Sequence, residues 1–395
     1  MTTSTDPPLL PFGQPAILTF SQLRLDLQAT APVCRISTPA GDEGWLVTQH
    51  AEVKSLLQDE RLGRTHPDPP SAPRYLKDPM LDMLITDTDA EAERKLHEQK
   101  RMLYTASFAA RRMLAQQPRV QKIADATLDA IEAKGPPADL HTEFSARFAR
   151  QSLGDILGVP LSELTTLLDR MEYVGTVDEE TGQERGMDSV FSFTAELSRQ
   201  KREQPGDDVM SHFAEAGMTD DEVGMHVTML LFTGLSGTAA HLDFGTLLFL
   251  RNPEEREKAM RDPEIMARGV EEVLRATVGS PVLPRYAVAD IDIGGVTIRE
   301  GDLVLLDFSL ANFDHRVYEA PDKFDVSRFP NPQMSFGHGM RHCTGAPLVR
   351  ILLKSAFTTL FDRLPGIRLA IPQEDLRAHP GGRLAGGLAE LPVSW

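Results

Sequence analysis

Cysteine is scarce in this chain, which has 2 cysteines, Cys34 and Cys343, among 395 residues. Two thiols are too few for a disulfide framework or for a cysteine-built structural zinc site, so any chemistry at Cys343 is that of a single thiolate. Basic residues are also in deficit, with 41 Lys and Arg against 58 Asp and Glu and a formal net charge of -17. This balance disfavours nucleic acid as a partner, because nucleic-acid binding needs a basic face.

Long apolar runs are missing as well. No window approaches about 18 consecutive apolar residues, the length that spans a bilayer. The N-terminal stretch MTTSTDPPLLPFGQP has neither the basic region nor the apolar region of a signal peptide. With 41% hydrophobic and 25% charged residues, the composition is that of a globular protein with a substantial core. We expect a cytoplasmic protein with no membrane segment.

The pattern along the chain predicts a mainly α fold with small β-sheets. Residues 1–16 are rich in proline and lack periodicity, which predicts an irregular N-terminal arm. Residues 44–48 have the pattern of a strand, and residues 50–57 that of an amphipathic helix. Residues 63–80 contain 5 prolines, which predicts a long loop. Loops of this length are usually functional or disordered.

Helical patterns dominate from Glu91 to about Gly366, and a β-rich block interrupts them at residues 290–299. Gly294-Gly295 within that block predicts a hairpin turn, because both positions then accept positive φ. The C-terminal tail contains two more glycine pairs of this kind, Gly381-Gly382 and Gly386-Gly387. No internal repeat or linker is evident, so we expect one large domain over residues 17–395.

The segment Ser335 to Arg350, SFGHGMRHCTGAPLVR, surrounds Cys343 with three glycines: Gly337, Gly339 and Gly345. Glycine lets the backbone turn tightly or approach something flat and bulky. Pro347 suits the first turn of a helix beginning at Ala346, which places Cys343 just before a helix N-terminus. That position favours the thiolate, which acts either as a nucleophile or as a metal ligand.

Two other interpretations of Cys343 are weaker. A buried, inert thiol is the usual fate of a lone cysteine, but three glycines and adjacent charges suit it poorly. A zinc site built from His338, His342 and Cys343 lacks an evident fourth ligand.

These residues resemble the haem-binding segment of the cytochrome P450 family. Its pattern F-G-x-G-x-[HR]-x-C-x-G is matched by Phe336, Gly337, Gly339, Arg341, Cys343 and Gly345. The resemblance implies that Cys343 is the axial thiolate of haem iron (haem b, iron protoporphyrin IX), a ligand that favours O–O cleavage. It further implies that Arg341 pairs with a haem propionate and that Phe336 lies near the sulfur, while His342 is structural.

Distant segments extend the resemblance over nearly the whole chain from Gly44. His97 and Arg101, at i and i+4 on one helical face, match the family's propionate-binding helix, and Arg285 matches a further propionate position. Glu272 and Arg275 match its E-x-x-R helix. With Arg328 they are expected to form a buried structural network.

The implied protein is a soluble bacterial oxidase. Its substrates are dioxygen and a small organic molecule, and its electrons come from NAD(P)H through a ferredoxin and its reductase. Four basic residues are candidates for docking that partner, although charge clusters are more often simply solvated: Arg111, Arg112, Arg350 and Lys354.

The central helix departs from the family pattern A-G-x-[DE]-T, whose acid and alcohol deliver protons to bound dioxygen. Counting back from Arg251-Asn-Pro253 places Ser236 at the acid and Gly237 at the threonine, so both relay side chains are absent. Thr238 lies about 100° further around the helix and is not expected to point the same way. The corresponding segment therefore supplies these distal candidates: Thr233, Gly234, Ser236, Gly237 and Thr238.

Three explanations of this departure stay open. Gly237 is a harmless kink, or it opens room for a bulky substrate whose polar groups, or a water held by Ser236 or Thr233, replace the relay. In the third, the enzyme only removes hydrogen or an electron, and the substrate radical couples to carbon or nitrogen.

Substrate specificity is expected from four segments: residues 63–88, 170–200, 282–283 and 384–388. Their mixed polarity suits a medium-sized natural-product intermediate that undergoes hydroxylation or oxidative C–C or C–N coupling, as with aromatic or cyclic dipeptide substrates. A non-enzymatic haem protein that senses or carries a gas is the alternative. A cysteine-nucleophile hydrolase has no defensible triad here.

Overall fold

The structure is a computed structural model that describes residues 6–10, 15–77, 79–82, 85–86, 89–174, 180–277, 282–378 and 387–395. Within it the chain packs as two compact units. Unit one comprises residues 1–100, 244–343 and 372–389, and unit two comprises residues 101–243, 344–371 and 390–395.

Helices account for most of the described chain. In order they are α1 Gln22–Thr30, α2 His50–Leu56, α3 Pro79–Asp82, α4 Ala90–Ser107, α5 Ala110–Ala115, α6 Gln117–Lys134, α7 Ala146–Leu157, α8 Leu161–Val174, α9 Glu180–Glu203, α10 Val209–Glu215, α11 Asp220–Arg251, α12 Pro253–Arg261, α13 Pro263–Ala276, α14 Phe308–Ala311 and α15 Ala346–Arg363. A π-helical turn at His141–Ser145 precedes α7, and 3-10 turns occur at Pro69–Ser71, Gly339–Arg341 and Gln373–Asp375.

The strands are short. They are β1 Val33–Ser37, β2 Glu43–Val47, β3 Leu62–Gly63, β4 Ala138–Asp139, β5 Val282–Ala287, β6 Ile291–Ile293, β7 Val296–Ile298, β8 Leu303–Asp307, β9 Arg368–Leu369 and β10 Pro392–Ser394.

Unit one is built on a five-stranded sheet of order β1-β2-β8-β5-β3. Strand β2 pairs with β8 in parallel, and the other neighbours are antiparallel. All five residues of β8 are buried, as expected for a central strand with both faces covered. The sheet core includes Ile36, Leu46, Val304 and Leu306. Helices α12 and α13 pack together in the same unit.

Unit two is mainly helical. Helix α15 packs on α5 and α6, and α8 packs on α9. A small sheet of order β4-β10-β9 closes the unit. Helix α11 is 32 residues long and carries Asp220, Asp221 and Glu222 in its first turn, where negative charge is stabilised by the helix dipole.

The local predictions that fall on described residues are confirmed. The strand at residues 44–48 and the helix at 50–57 are β2 and α2, and the helix after the cysteine begins at Ala346. Gly294 and Gly295 have φ of 58° and 82° and join β6 to β7 as the expected hairpin. The described residues of the predicted loop, 63–77 and 79–80, are largely irregular apart from short helical turns. The glycine pair at 381–382 and residues 384–386 of the tail lie outside the described residues.

Candidate functional site

The loop that carries Cys343 connects Met334 to α15 and turns at its glycines. Gly337 and Gly339 have φ of 68° and 66°, a region that favours glycine. A side chain at Gly339 is excluded for a second reason, since a Cβ there would lie 2.7 Å from the backbone oxygen of Leu57. Gly345, by contrast, has φ of -76° and caps α15. Two of the three glycines therefore shape the turn, and the third begins the helix.

Hydrogen bonds hold this loop closed and present the cysteine at its surface. The backbone N–H of Cys343 donates to the carbonyl oxygen of Phe336 at 2.8 Å, and that of Gly337 donates to Met334 at 2.7 Å. Phe336 is buried, while Cys343 is exposed. The loop thus fixes the position of the thiol by backbone bonds.

The loop is also tied to α13. The Ser335 hydroxyl donates to the carbonyl oxygen of Leu274 at 2.6 Å and accepts from Asn312 Nδ2 at 2.9 Å. The backbone N–H of Met334 donates to Asn312 Oδ1 at 2.7 Å. The cysteine loop is therefore braced against the helix that carries Glu272 and Arg275.

Glu272, Arg275 and Arg328 form the buried network predicted from the sequence. Glu272 and Arg275 have fully buried side chains, and Nη2 and Nε of Arg275 donate to the carboxylate at 2.8 Å each. Arg328 Nε lies 3.1 Å from the same carboxylate, which also accepts the backbone N–H of Asp325 at 3.0 Å. The hydrogen bonds from these donors offset the cost of removing the Glu272 carboxylate from water.

A second group of charges in unit one includes three arginines, Arg64, Arg285 and Arg341. Arg341 donates to Glu93 at 2.6 Å and lies 3.4 Å from Nδ1 of His97. Arg285 is 4% exposed, and its Nη1 donates to the carbonyl oxygen of Pro284 at 2.7 Å. The structure therefore brings together three residues that the sequence placed at a propionate site: His97, Arg285 and Arg341.

Positive charge is in excess in this cluster, because its three guanidinium groups face one carboxylate, that of Glu93. Burial, followed by repulsion from Arg64, holds the pKa of Arg285 well below its ordinary value. Burial and repulsion from Arg341 lower the pKa of Arg64 to about 10, and the same two causes lower the pKa of His97. Glu93 opposes this repulsion. The donor set has the chemistry of a carboxylate-binding site and fits the propionates of a porphyrin.

Arg64 was not among the predicted residues. It follows β3 at the start of the proline-rich segment, and no spacing pattern distinguishes it from a surface arginine. Its Nε is buried, and no acceptor for it lies within the described part of the chain. Only the tertiary structure reveals its place beside Arg285.

Helix α11 carries the distal candidates in its first part, residues 220–243, which belongs to unit two. Thr233 and Ser236 are exposed in the middle of a mostly buried helix, and nothing lies within 4 Å of the position that a Cβ on Gly237 would take. Thr238 is 2% exposed, so its side chain is buried, whereas that of Ser236 is exposed. Gly234 packs toward Leu153, whose side chain would lie 3.3 Å from an added Cβ.

His241, one turn after Gly237, is a feature that sequence reasoning missed. Its Nδ1 lies 2.6 Å from the carbonyl oxygen of Gly237, and burial lowers its pKa. A neutral imidazole then donates from Nδ1 and keeps Nε2 as an acceptor.

Arg101 lies one turn after His97 in α4, as the i, i+4 spacing requires. Helix α11 is long and apolar enough to cross a membrane by length and composition alone. Half of the relevant window is buried, and core helices of soluble proteins meet the same criterion.

Known proteins are similar to this chain over nearly its whole length. Residues 182–365 match the family model of cytochrome P450. Pentalenolactone synthase of Streptomyces exfoliatus is 37% identical over 98% of this chain and 99% of its own length. Mycinamicin IV hydroxylase/epoxidase of Micromonospora griseorubida is 35% identical over the full length of both chains.

A solved structure is similar over the same length. The substrate-free cytochrome P450 PimD, described as a polyene macrolide antibiotic pimaricin epoxidase, superposes with a TM-score of 0.92. It is 47% identical to this chain, and the match covers 99% of this chain and 100% of that one.

The chain therefore belongs to the cytochrome P450 family and has its fold. It is an oxidoreductase of the bacterial type. Members of the family use haem iron, dioxygen, a small organic substrate and a redox partner.

Proposed function

We propose that this P450 oxidises a medium-sized natural product, with Cys343 as the axial thiolate of haem b. The observation that carries the assignment is the cysteine loop, which presents Cys343 at its surface in the same unit as a buried excess of guanidinium groups. A thiolate and a carboxylate-binding cluster are what an iron porphyrin requires of its protein.

Each predicted cofactor residue then has a role. Cys343 binds the metal, and Phe336 packs beside the sulfur. Gly337 shapes the turn and leaves room for a flat ligand, and Gly345 begins α15. Four cationic or donor residues bind the propionates: His97, Arg101, Arg285 and Arg341.

When bound at Cys343, haem would supply the activation of dioxygen and the transfer of one oxygen atom to the substrate. The chain's own residues would supply position and protons. The N-terminal turn of α15 follows Cys343 directly and favours the anionic sulfur. Thr233 and Ser236 are exposed hydroxyls on α11, spaced to hold a water where the family's acid and alcohol are missing. Gly237 leaves space for that water or for a bulky substrate.

A macrolide or a related polyketide is the proposed substrate class, and hydroxylation or epoxidation is the proposed reaction. Two of the similar proteins are named for epoxidation: the mycinamicin hydroxylase/epoxidase and the pimaricin epoxidase. Unit one contains a small cavity that Arg64 and Arg285 border together with four less polar residues: Leu76, Ile85, Leu283 and Tyr75. These four residues belong to two predicted specificity segments, 63–88 and 282–283, and give an apolar wall for such a substrate.

A ferredoxin and an NAD(P)H-dependent ferredoxin reductase are the proposed electron source, and the cytoplasm is the proposed location. Arg111 is exposed on α5, and α5 packs on α15, which carries Arg350 and Lys354. Arg112 is partly neutralised by Asp207, 2.9 Å away. We propose that these four basic residues form the docking surface.

The experiment combines binding with turnover. The purified protein is titrated with polyene macrolides, saturated macrolides and aromatic cyclic dipeptides, and substrate-induced changes in its absorption spectrum are recorded. The ligands that bind are then incubated with the protein, ferredoxin, its reductase and NADPH, and the masses of the products are measured by mass spectrometry.

The mass of the product separates the candidate reactions. Hydroxylation and epoxidation each add one oxygen atom, whereas oxidative coupling removes two hydrogen atoms and adds none. We expect a macrolide product that is heavier by one oxygen. A product lighter by two hydrogens would favour coupling, and reduction without any product would favour the gas-binding alternative.

A further inference from the structure

Arg64 is a guanidinium that the protein itself leaves incompletely bonded. Its Nε is buried, and within the described residues it has no hydrogen-bond acceptor. A buried donor without a partner costs about 1–3 kcal/mol. Such a cost is tolerated when a ligand supplies the missing acceptor.

Two neighbouring arginines are fully matched: Arg61, just before the proline-rich segment, and Arg74, within it. Arg61 forms an ion pair with Asp59 at 2.7 Å. Arg74 pairs with Asp82 at 2.7 Å and donates to the carbonyl oxygens of Ala72 and Pro69. The unsatisfied state of Arg64 is therefore not a general property of the proline-rich segment.

Arg64 and Arg285 line the same narrow cavity, about 30 Å³ of which is open to water-sized molecules. This shared cavity gives both guanidinium groups access to one ligand. The segment that follows Arg64 contributes Tyr75 and Leu76 to the other side of the cavity. A ligand bound by Arg64 would therefore also hold the start of the proposed substrate-binding segment, residues 63–88, in place.

The charges of the cluster specify the ligand. Arg64, Arg285 and Arg341 are three guanidinium groups, and Glu93 is the carboxylate whose charge opposes their mutual repulsion, so positive charge is in excess. His97 adds little, because burial and Arg341 lower its pKa. Carboxylates would offset this excess of positive charge, and haem carries two of them as its propionates.

We propose that Arg64 binds a haem propionate carboxylate through its buried Nε–H, and so ties the proline-rich segment to the cofactor. This inference rests on the proposed haem site and adds to it a residue that no motif assigns. The competing source of the same chemistry is a carboxylate on the substrate.

The test uses a cofactor that lacks the carboxylates. The full chain, an Arg64→Met variant and an Arg61→Met control are each loaded with haem or with haem dimethyl ester. Release of the cofactor to excess apomyoglobin is then followed by absorbance. Met keeps the length and the apolar stem of the arginine without its donors, and Arg64→Gln serves as a second variant should Arg64→Met fail to accumulate.

We expect Arg64→Met to release haem about 10–100 times faster than the wild type, because the variant lacks one charge-assisted hydrogen bond to the cofactor. The two proteins should release the dimethyl ester at equal rates, and Arg61→Met should match the wild type with both cofactors. Equal haem release by Arg64→Met and wild type would overturn the proposal, and it would leave a substrate carboxylate as the ligand.

Faster release of both cofactors to the same extent would overturn it too, because the effect would then be structural. A wild-type chain that binds neither cofactor would contradict the haem site itself, an outcome distinct from a failure of the Arg64 assignment.

Discussion

Replacing Gly237 with alanine is expected to stabilise the folded protein and to impair its activity. Gly237 lies in the interior of α11, where glycine costs about 0.8–1 kcal/mol relative to alanine. No heavy atom lies within 4 Å of the position of the added Cβ, so no clash offsets that gain. We expect Gly237→Ala to raise the free energy of unfolding by about 0.5–1 kcal/mol.

The same methyl group occupies space that we assign to substrate or to a catalytic water. Gly237→Ala should therefore weaken the spectral response to bulky substrates and increase the fraction of reducing equivalents lost as peroxide. Gly237→Thr, which adds more volume, should do both more strongly. Stability is measured by denaturant titration, and function by substrate titration and peroxide yield.

Gly224 in the same helix provides the matched control. A Cβ there would lie 2.7 Å from the backbone N of Ala195 and 2.9 Å from the backbone oxygen of Phe191. Because backbone atoms cannot move aside cheaply, Gly224→Ala should destabilise by about 1–3 kcal/mol. If Gly237→Ala were to destabilise as much as this control, the space beside Gly237 would be filled and its role in substrate access would be wrong.

Three further changes test other parts of the structure. Glu272→Ala leaves Arg275 and Arg328 without their buried partner and should cost about 3–5 kcal/mol in denaturant titration; a loss below 1 kcal/mol would contradict a buried network. Burial lowers the pKa of His241 from 6.5, so as the pH falls the unfolded chain binds a proton on this imidazole before the folded chain does. The free energy of unfolding should therefore decrease as the pH drops from 7 to 5. His241→Gln removes this pH dependence, which is at most about 1.4 kcal/mol per pH unit. If the free energy of unfolding changed with pH equally in the variant and the wild type, a contribution from His241 would be excluded. The double change Ser236→Asp with Gly237→Thr should alter the ratio of product to peroxide, and an unchanged ratio would remove the significance we give to the missing relay.

The parts of the site that follow from the sequence are those set by local spacing. The turn at Gly337 and Gly339 follows from glycine's access to positive φ, and the helix after Cys343 follows from Pro347. One turn separates Glu272 from Arg275, so their pairing was predictable, although their burial was inferred only through the family resemblance.

The parts that escaped prediction depend on long-range packing. Arg64 is separated from Arg285 by more than two hundred residues, and only the pairing of β3 with β5 brings their strands together. The hydrogen bond from His241 to Gly237 is local, but its importance depends on the open space beside Gly237, which neighbouring elements define. Buried charge in excess is likewise a property of the assembled unit and of no single segment.

The bond between the sulfur of Cys343 and haem iron is the central claim, and carbon monoxide tests it most directly. The purified protein, once reduced and exposed to carbon monoxide, should show the strongly red-shifted Soret band of a thiolate-ligated haem, and Cys343→Ser should lose that band. A wild-type spectrum without the shift, or a serine variant that keeps it, would contradict the assignment.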